Sequence, residues 1–263
     1  MTDVRTRSEG LPAGMLLAGV GGFLDAYTFV GYNGVFATAQ TGNIVLLGVD
    51  AQAGHWQEAL LHIPPVVAFM LGVALAQMLA QPTVRRIVRR PTRWVLIAEI
   101  VVLAAVGAVP GQIPSRVVPG AIAFVAAVQV STFRSLDGVE YSSSFTTSNL
   151  RALTVNLFTW RTGHDPASRH RAALLGSVVA AFAVGAGVGG LCTRLIHQQA
   201  AWIAAAALMI VLVAIVIETS RLDQRGDTTP RTASGLRSAQ SGWKNRMPSP
   251  PSTRSSPAKA ACT

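Results

Sequence analysis

Apolar residues run along this chain in long blocks, not in the alternation of a half-buried strand or the single stripe of a soluble helix. Six blocks approach the roughly 20 residues with which a helix crosses about 30 Å of hydrocarbon. They lie at 11–30, 63–80, 94–110, 117–133, 172–195 and 200–218. In lipid an open strand would leave backbone groups without partners, so each block is predicted to be a helix. The expected fold class is an all-α integral membrane protein with six transmembrane helices.

One stretch breaks the pattern. Phe36-Ala-Thr-Ala-Gln-Thr-Gly-Asn-Ile-Val-Leu-Leu47 is too polar for an ordinary span and too apolar for an ordinary loop. A weaker copy, Ser142-Ser-Ser-Phe-Thr-Thr-Ser-Asn-Leu150, follows about a hundred residues later. Residues 35–49 would reach only about 22 Å as a helix at about 1.5 Å per residue, short of the membrane core. With Gly42 as a breaker, the stretch is read as a re-entrant segment or a broken helix with Asn43 near its N-cap. The free N–H groups and positive dipole end of such a half-helix would face a cavity. The other reading is an extracellular loop carrying a short surface helix.

Charge sets the orientation. Residues 31–62 contain no Lys or Arg, whereas Arg85, Arg86, Arg89, Arg90 and Arg93 lie between the second and third blocks. Arg116 alone joins the third to the fourth; Arg134, Arg151, Arg161, Arg169 and Arg171 fall between the fourth and fifth; Arg194 precedes the sixth. Placing the positive loops inside puts both termini in the cytoplasm. Counting the two polar stretches as spans, for eight in all, would put the arginine clusters on opposite sides, so the rule favours six.

A shift of 106 positions lays Thr41-Gly42-Asn43 on Thr147-Ser148-Asn149 and the first block on the fourth. Each half, about 11–110 and 117–218, then holds three spans, an odd number, so the halves lie in the membrane upside down to one another. Such inverted repeats are built into many secondary transporters.

Composition adds limits. Charged residues make up 13% of the 263, against about 25% in a soluble domain. The net charge of +10 does not mark a nucleic-acid binder, because six of those charges sit in the Ser-, Pro- and Arg-rich segment 219–263. That segment is read as a disordered basic cytoplasmic tail, and residues 1–10 as a short cytoplasmic N-terminus. Asp25, and the lack of a clean cleavage site, favour an uncleaved first span over a signal peptide. Cys192 and Cys262 have no pairing or ligand spacing.

The chemistry-bearing motifs are few. Gly185-Ala-Gly187-Val-Gly189-Gly190 matches a dinucleotide fingerprint, yet it lies inside an apolar block with no strand before it. Gly185 and Gly189 are expected to form a close helix-packing face. His55, His62, His164, His170 and His197 show no metal-ligand spacing, and no nucleophile–base motif is present. No enzyme, cofactor or metal site is expected. Asp25, near the outer end of the first block, is either a proton- or cation-handling group or a structural carboxylate hydrogen-bonded to its neighbours. Glu99 is expected to be neutralised by Arg93 or to snorkel.

The residues Gly21-Gly-Phe-Leu-Asp-Ala-Tyr27, followed by Gly34-Val-Phe-Ala-Thr-Ala-Gln-Thr-Gly-Asn-Ile-Val-Leu-Leu-Gly48, closely resemble the YoaK-like family of bacterial integral membrane proteins, a domain of unknown function. The resemblance runs from about 11 to 218. In the second half, Gln129-Val-Ser-Thr-Phe-Arg134 and Thr146-Thr-Ser-Asn149 are similar to the family's later motif, with Ser148 where its pattern has glycine. It implies a six-span bacterial inner-membrane protein and supplies no substrate.

The expected role is a small-solute transporter or channel, its solute held by Asp25, Thr38, Gln40, Thr41, Gly42, Asn43, Thr147 and Asn149. The alternative is a non-transporting membrane protein that binds a partner or lipid. The expected partners are the lipid bilayer and a small solute, not nucleic acid, and nothing in the pattern speaks to oligomeric state.

Overall fold

The computed structural model describes residues 11–87, 91–109, 116–133, 135–136, 139–140 and 146–227. Among the described residues, the regular structure besides helix is a two-residue antiparallel ladder, β1 (Ser135–Leu136) with β2 (Val139–Glu140). The helices are α1 (Leu11–Gly31), α2 (Gln40–Gln52), α3 (Trp56–Leu61), α4 (Ile63–Ala80), α5 (Pro82–Ile87) and α6 (Pro91–Ala108). Then come α7 (Val117–Thr132), α8 (Thr146–Gly163), α9 (Pro166–Ile196), a 3-10 turn His197–Ala200, and α10 (Ala201–Asp227). Residues 1–10, the start of the second polar stretch at 142–145, and the tail from 228 lie outside the described residues. Residues 1–216 and 217–263 form separate units, and the helix packing and the polar site belong to the first.

Each of the six apolar blocks forms a helix: α1, α4, α6, α7, α9 and α10. Three stretches among the described residues have the length and composition to cross a membrane: Pro12–Gly31, Trp56–Ala80 and Pro166–Ile217. The last of these is two helices, α9 and α10, parted by the 3-10 turn, where His197 takes φ 50°. Apolar side chains also cover outward faces: Met70, Leu71, Val101, Val184, Leu191 and Ile210 are all exposed. A water-soluble monomer rarely exposes so many large apolar side chains; hydrocarbon does not penalise them.

Helix boundaries follow local chemistry. Prolines in the first turn start α4, where no N–H is needed. Helix α9 begins at Pro166, ahead of its apolar block, because the Asp165 carboxylate caps it. That carboxylate accepts from Ala167 N at 3.1 Å, Ser168 N at 3.0 Å and Ser168 Oγ at 2.7 Å. The Ser168 hydroxyl, then the backbone N–H groups, hold the Asp165 carboxyl below the usual carboxylate range. Helix α10 runs on to Asp227, into the segment read from composition as tail.

Two long pairings dominate the packing: α1 lies along α9, and α4 along α7. In the first, backbone meets backbone. A Cβ on Gly189 would stand 2.5 Å from the carbonyl oxygen of Phe23, and one on Gly185 would strike the backbone of Gly19. Gly22 stands likewise against the Phe182 carbonyl, whereas Gly187, on the other side of α9, has nothing within 4 Å. The spacing of Gly185 and Gly189 thus marks a packing face, as expected. Gly72 lets α4 approach the Phe124 carbonyl of α7 in the same manner.

The buried centre joins Leu17 and Leu24 of α1, Leu96 and Leu103 of α6, Ile122 of α7 and Leu208 of α10. The last carbonyls of α6 lack intrahelical donors. Gln198 Nε2 donates to Val106 O and to Val109 O (3.1 Å), and Trp202 Nε1 donates to Ala104 O (3.2 Å). The turn before α10 therefore closes the end of α6.

Candidate functional site

The polar stretch after α1 is not a loose loop. Asn33 (φ 57°) and Gly34 (φ 73°) take left-handed conformations and turn the chain back along the end of α1. The turn carries Thr38 to Asp25. Thr38 N donates to Asp25 Oδ1 at 2.6 Å and Thr38 Oγ1 to Asp25 Oδ2 at 2.7 Å, with Ala39 N at 3.3 Å from Oδ1. Asp25 and Thr38 are both buried. The carboxylate sits beside the start of α2, where the helix dipole favours a negative charge.

A second clip lies one turn on. Asn43 Oδ1 accepts from Phe36 N at 2.9 Å while its Nδ2 donates to Phe36 O at 2.8 Å, so one side-chain amide pairs with a backbone segment as a strand would. Asn43 Nδ2 also donates to Gln40 Oε1 at 2.9 Å, and Gln40 Nε2 donates to Ala37 O at 2.8 Å. Gly42 leaves room for the Phe36 ring, which would stand 2.8 Å from a Cβ there; that ring stacks on Phe29 at 4.8 Å between centroids. At the far end of α2, Asp50 Oδ2 lies 3.2 Å from Nε2 of the buried His62, tying α2 to the start of α4.

Five of the eight expected site residues therefore come together: Asp25, Thr38, Gln40 and Asn43 through hydrogen bonds, and Gly42 against the Phe36 ring. Thr41 is exposed. None of these bonds reaches Thr147 or Asn149. Thr147 is exposed near the start of α8, and Asn149 is buried on α8, which packs along α9. Asn43, expected near an N-cap, lies in the first turn of α2, four residues after the N-cap Ala39, and its amide is engaged by Phe36. The start of α2, where a helix favours an anion, is also occupied, by the chain's own Asp25.

Two further buried side chains outside the expected set lie on α6 and α7. Glu99 on α6 is fully buried, and both carboxyl oxygens lack a hydrogen-bond partner among the described residues. Arg93 Nη2 lacks one too, so the expected Arg93–Glu99 neutralisation is not made, and full burial leaves Glu99 no path to snorkel. Gln129 on α7 is buried with its Nε2 unpartnered. Glu99 stood out in the sequence as a charge within an apolar block; Gln129 carried no such signal. Among the described residues no three His, Cys, Asp or Glu side chains converge as a metal site.

The family model for "Protein of unknown function (DUF1275)" matches residues 13–214. The chain belongs to this family. The match covers the described helices from α1 into α10 and agrees with the YoaK-like resemblance carried by the Asp25 and Asn43 segments. No curated protein and no solved structure matches the chain. Membership in DUF1275, with apolar helices of spanning length, is what the comparison and the fold establish together.

Proposed function

We propose that this DUF1275 protein is a multi-pass protein of the bacterial inner membrane, built from two inverted three-span halves, that moves a small solute. The reading rests on one observation above others. Asn43 is the fourth residue of α2 and Asn149 the fourth residue of α8, and both are buried. The 106-residue shift relates these two positions. It also exchanges the two main helix pairings, since α1 corresponds to α7 and α4 to α9. Likewise α2 packs against α4, and α8 against α9.

At 13 residues α2 rises only about 20 Å, too short to cross a bilayer, which favours a broken element lining a path over a further span. Both termini are cytoplasmic, as the arginine distribution requires. The polar knot around Asp25 holds the start of α2 in place, and Thr41 and Thr147 are the exposed members that would meet the solute. The protein is not an enzyme in this reading and needs no cofactor.

An apolar hollow of about 150 Å³ between α4, α6 and α7, lined by Leu75, Trp94, Phe124 and Val128 among others, favours lipid binding without transport as the second reading.

Single cysteines at 41 and 147, in a chain with Cys192 and Cys262 replaced by Ser, separate these ideas. Inverted halves require an impermeant maleimide to reach position 41 only from the periplasm and position 147 only from the cytoplasm. Labelling of both from one side overturns the repeat. Proteoliposomes holding the protein are expected to admit small neutral solutes or monovalent anions faster than protein-free vesicles. Equal tightness across such a panel overturns transport and leaves the lipid-binding reading.

A further inference from the structure

The core-facing stripe of α6 is Leu96, Glu99, Leu103 and Val106, at spacings of three and four that keep one helix face. Three of the four are aliphatic and belong to the cluster shared with α1, α7 and α10. Glu99 stands in the middle of that stripe, fully buried, with neither oxygen bonded among the described residues. An ionised carboxylate there costs several kcal/mol even after relaxation, a large part of a domain's stability. Something must neutralise it.

The neighbours do not. On α1 the titratable groups are Asp25 and Tyr27: Asp25 is bonded to Thr38 and Ala39, and the Tyr27 hydroxyl lies 3.1 Å from Tyr32 Oη and donates to Gln198 O at 3.2 Å. Residues 117–132 of α7 and 201–216 of α10 carry no charged or titratable side chain. His197 lies in the 3-10 turn at the far end of α6, and Arg93 makes no ion pair with Glu99. A hard metal ion wants about six oxygen ligands, and the aliphatic surroundings of Glu99 do not supply them.

The facing helix supplies one group. Val118 and Ile122 of α7, with Phe133 just past its end, belong to the same cluster, and helical spacing puts the buried Gln129 on their side of α7; Val95 of α6 packs in one cluster with Val128 of α7. In the antiparallel register this sets, Gln129 lies five residues, roughly 7–8 Å along the axis, from the level of Glu99. Its Nε2 is buried and unpartnered. It is a donor placed to meet a carboxylate that has lost its proton.

We propose that Glu99 is a proton-binding site in the centre of the membrane domain, with Gln129 as the positioning residue that receives its deprotonated form. The protonated acid suits the apolar stripe, and the ionised form is tolerable only when it meets the Gln129 amide. Its use for coupling proton movement to solute movement rests on the transport reading; the binding of the proton does not.

Dicyclohexylcarbodiimide, an apolar reagent that adds to protonated carboxyl groups in membranes, tests the site on the intact protein without a transport assay. Mass mapping is expected to find the adduct on Glu99, declining as the pH is raised and absent from Glu99→Gln. In Gln129→Leu the labelling should persist further into the alkaline range, because the deprotonated form has lost its donor. Infrared spectra supply a readout independent of reagent access: a protonated carboxyl C=O band that is missing from Glu99→Gln and unchanged in Asp25→Asn. Absence of both adduct and band overturns the proposal, as does labelling that sodium suppresses at constant pH. A proton site confirmed in vesicles that move no solute would sink the transport reading alone.

Discussion

Thr38 donates both its backbone N–H and its hydroxyl to the carboxylate of Asp25, at 2.6 and 2.7 Å, across thirteen residues of chain. The two oxygens of one buried acid thereby hold the segment that leads into α2 against α1. Bonds of this kind, to a charged acceptor away from bulk water, are stronger than neutral ones and exacting in geometry.

Replacing the acceptor reverses half of that geometry. Asp25→Asn presents an NH₂ group where at least one donor of Thr38 already points, so a buried donor loses its partner at a cost of about 1–3 kcal/mol. Thr38→Val should cost a similar amount and Thr38→Ser much less. Thermal unfolding in detergent is expected to rank them in that order. Equal midpoints for Asp25→Asn and wild type would mean that the bond contributes nothing.

Gly42 tests the aromatic side of the same knot. Gly42→Ala places a methyl 2.8 Å from the Phe36 ring, which is held against Phe29. It should destabilise the protein, and Phe36→Ala should relieve the clash in the double variant. Gly48 has open space around it in the same helix, so Gly48→Ala should be neutral or stabilise by roughly 0.5–1 kcal/mol. Unfolding midpoints of the four variants read the contrast directly.

The α1–α9 seam gives a positional prediction. Gly185→Leu and Gly189→Leu force backbones apart and should abolish monodisperse expression, as judged by size-exclusion chromatography of the fluorescent fusion. Gly187→Leu, two residues from each, should express like wild type. Loss of all three alike would point to a general intolerance of α9, not to the seam.

Acid should act on the start of α9 through Asp165. Its folded carboxyl titrates below the unfolded one, so its stabilisation is present above the unfolded value and is lost as pH falls through the folded value. Asp165→Ala should therefore lower the midpoint at neutral pH, with the gap to wild type closing in acid. Ser168→Ala should move that closure toward higher pH, since the Ser168 hydroxyl is the main cause of the shift.

Much of the helical layout was legible because membrane helices are written in long apolar blocks and local punctuation. The bounds of α4 match its block at both ends, with Pro64 and Pro65 marking the start. Gly185 and Gly189 were readable as a packing face from spacing alone. The pairing of Asp25 with Thr38 was not, because it depends on two consecutive left-handed residues, Asn33 and Gly34, that reverse the chain. Asn43 was placed near an N-cap, and it stands in the first turn of α2; that its amide copies a backbone partner for Phe36 is a role that residue type does not announce. The isolation of Glu99 was partly readable. Arg93 stands six residues earlier, about 240° round the helix, and so projects from another face.

The pairing of α1 with α9 has a consequence for synthesis. Ribosomes add about 5–20 residues per second, so α1 waits on the order of ten seconds for the residues near Gly189 to emerge. During that wait it holds an acidic side chain inside a bilayer. Thr38 and Ala39 arrive within about a second or two of Asp25 at the same rate. The nascent α1 can thus settle its one charged group locally, long before the helix it will finally lie against has been made.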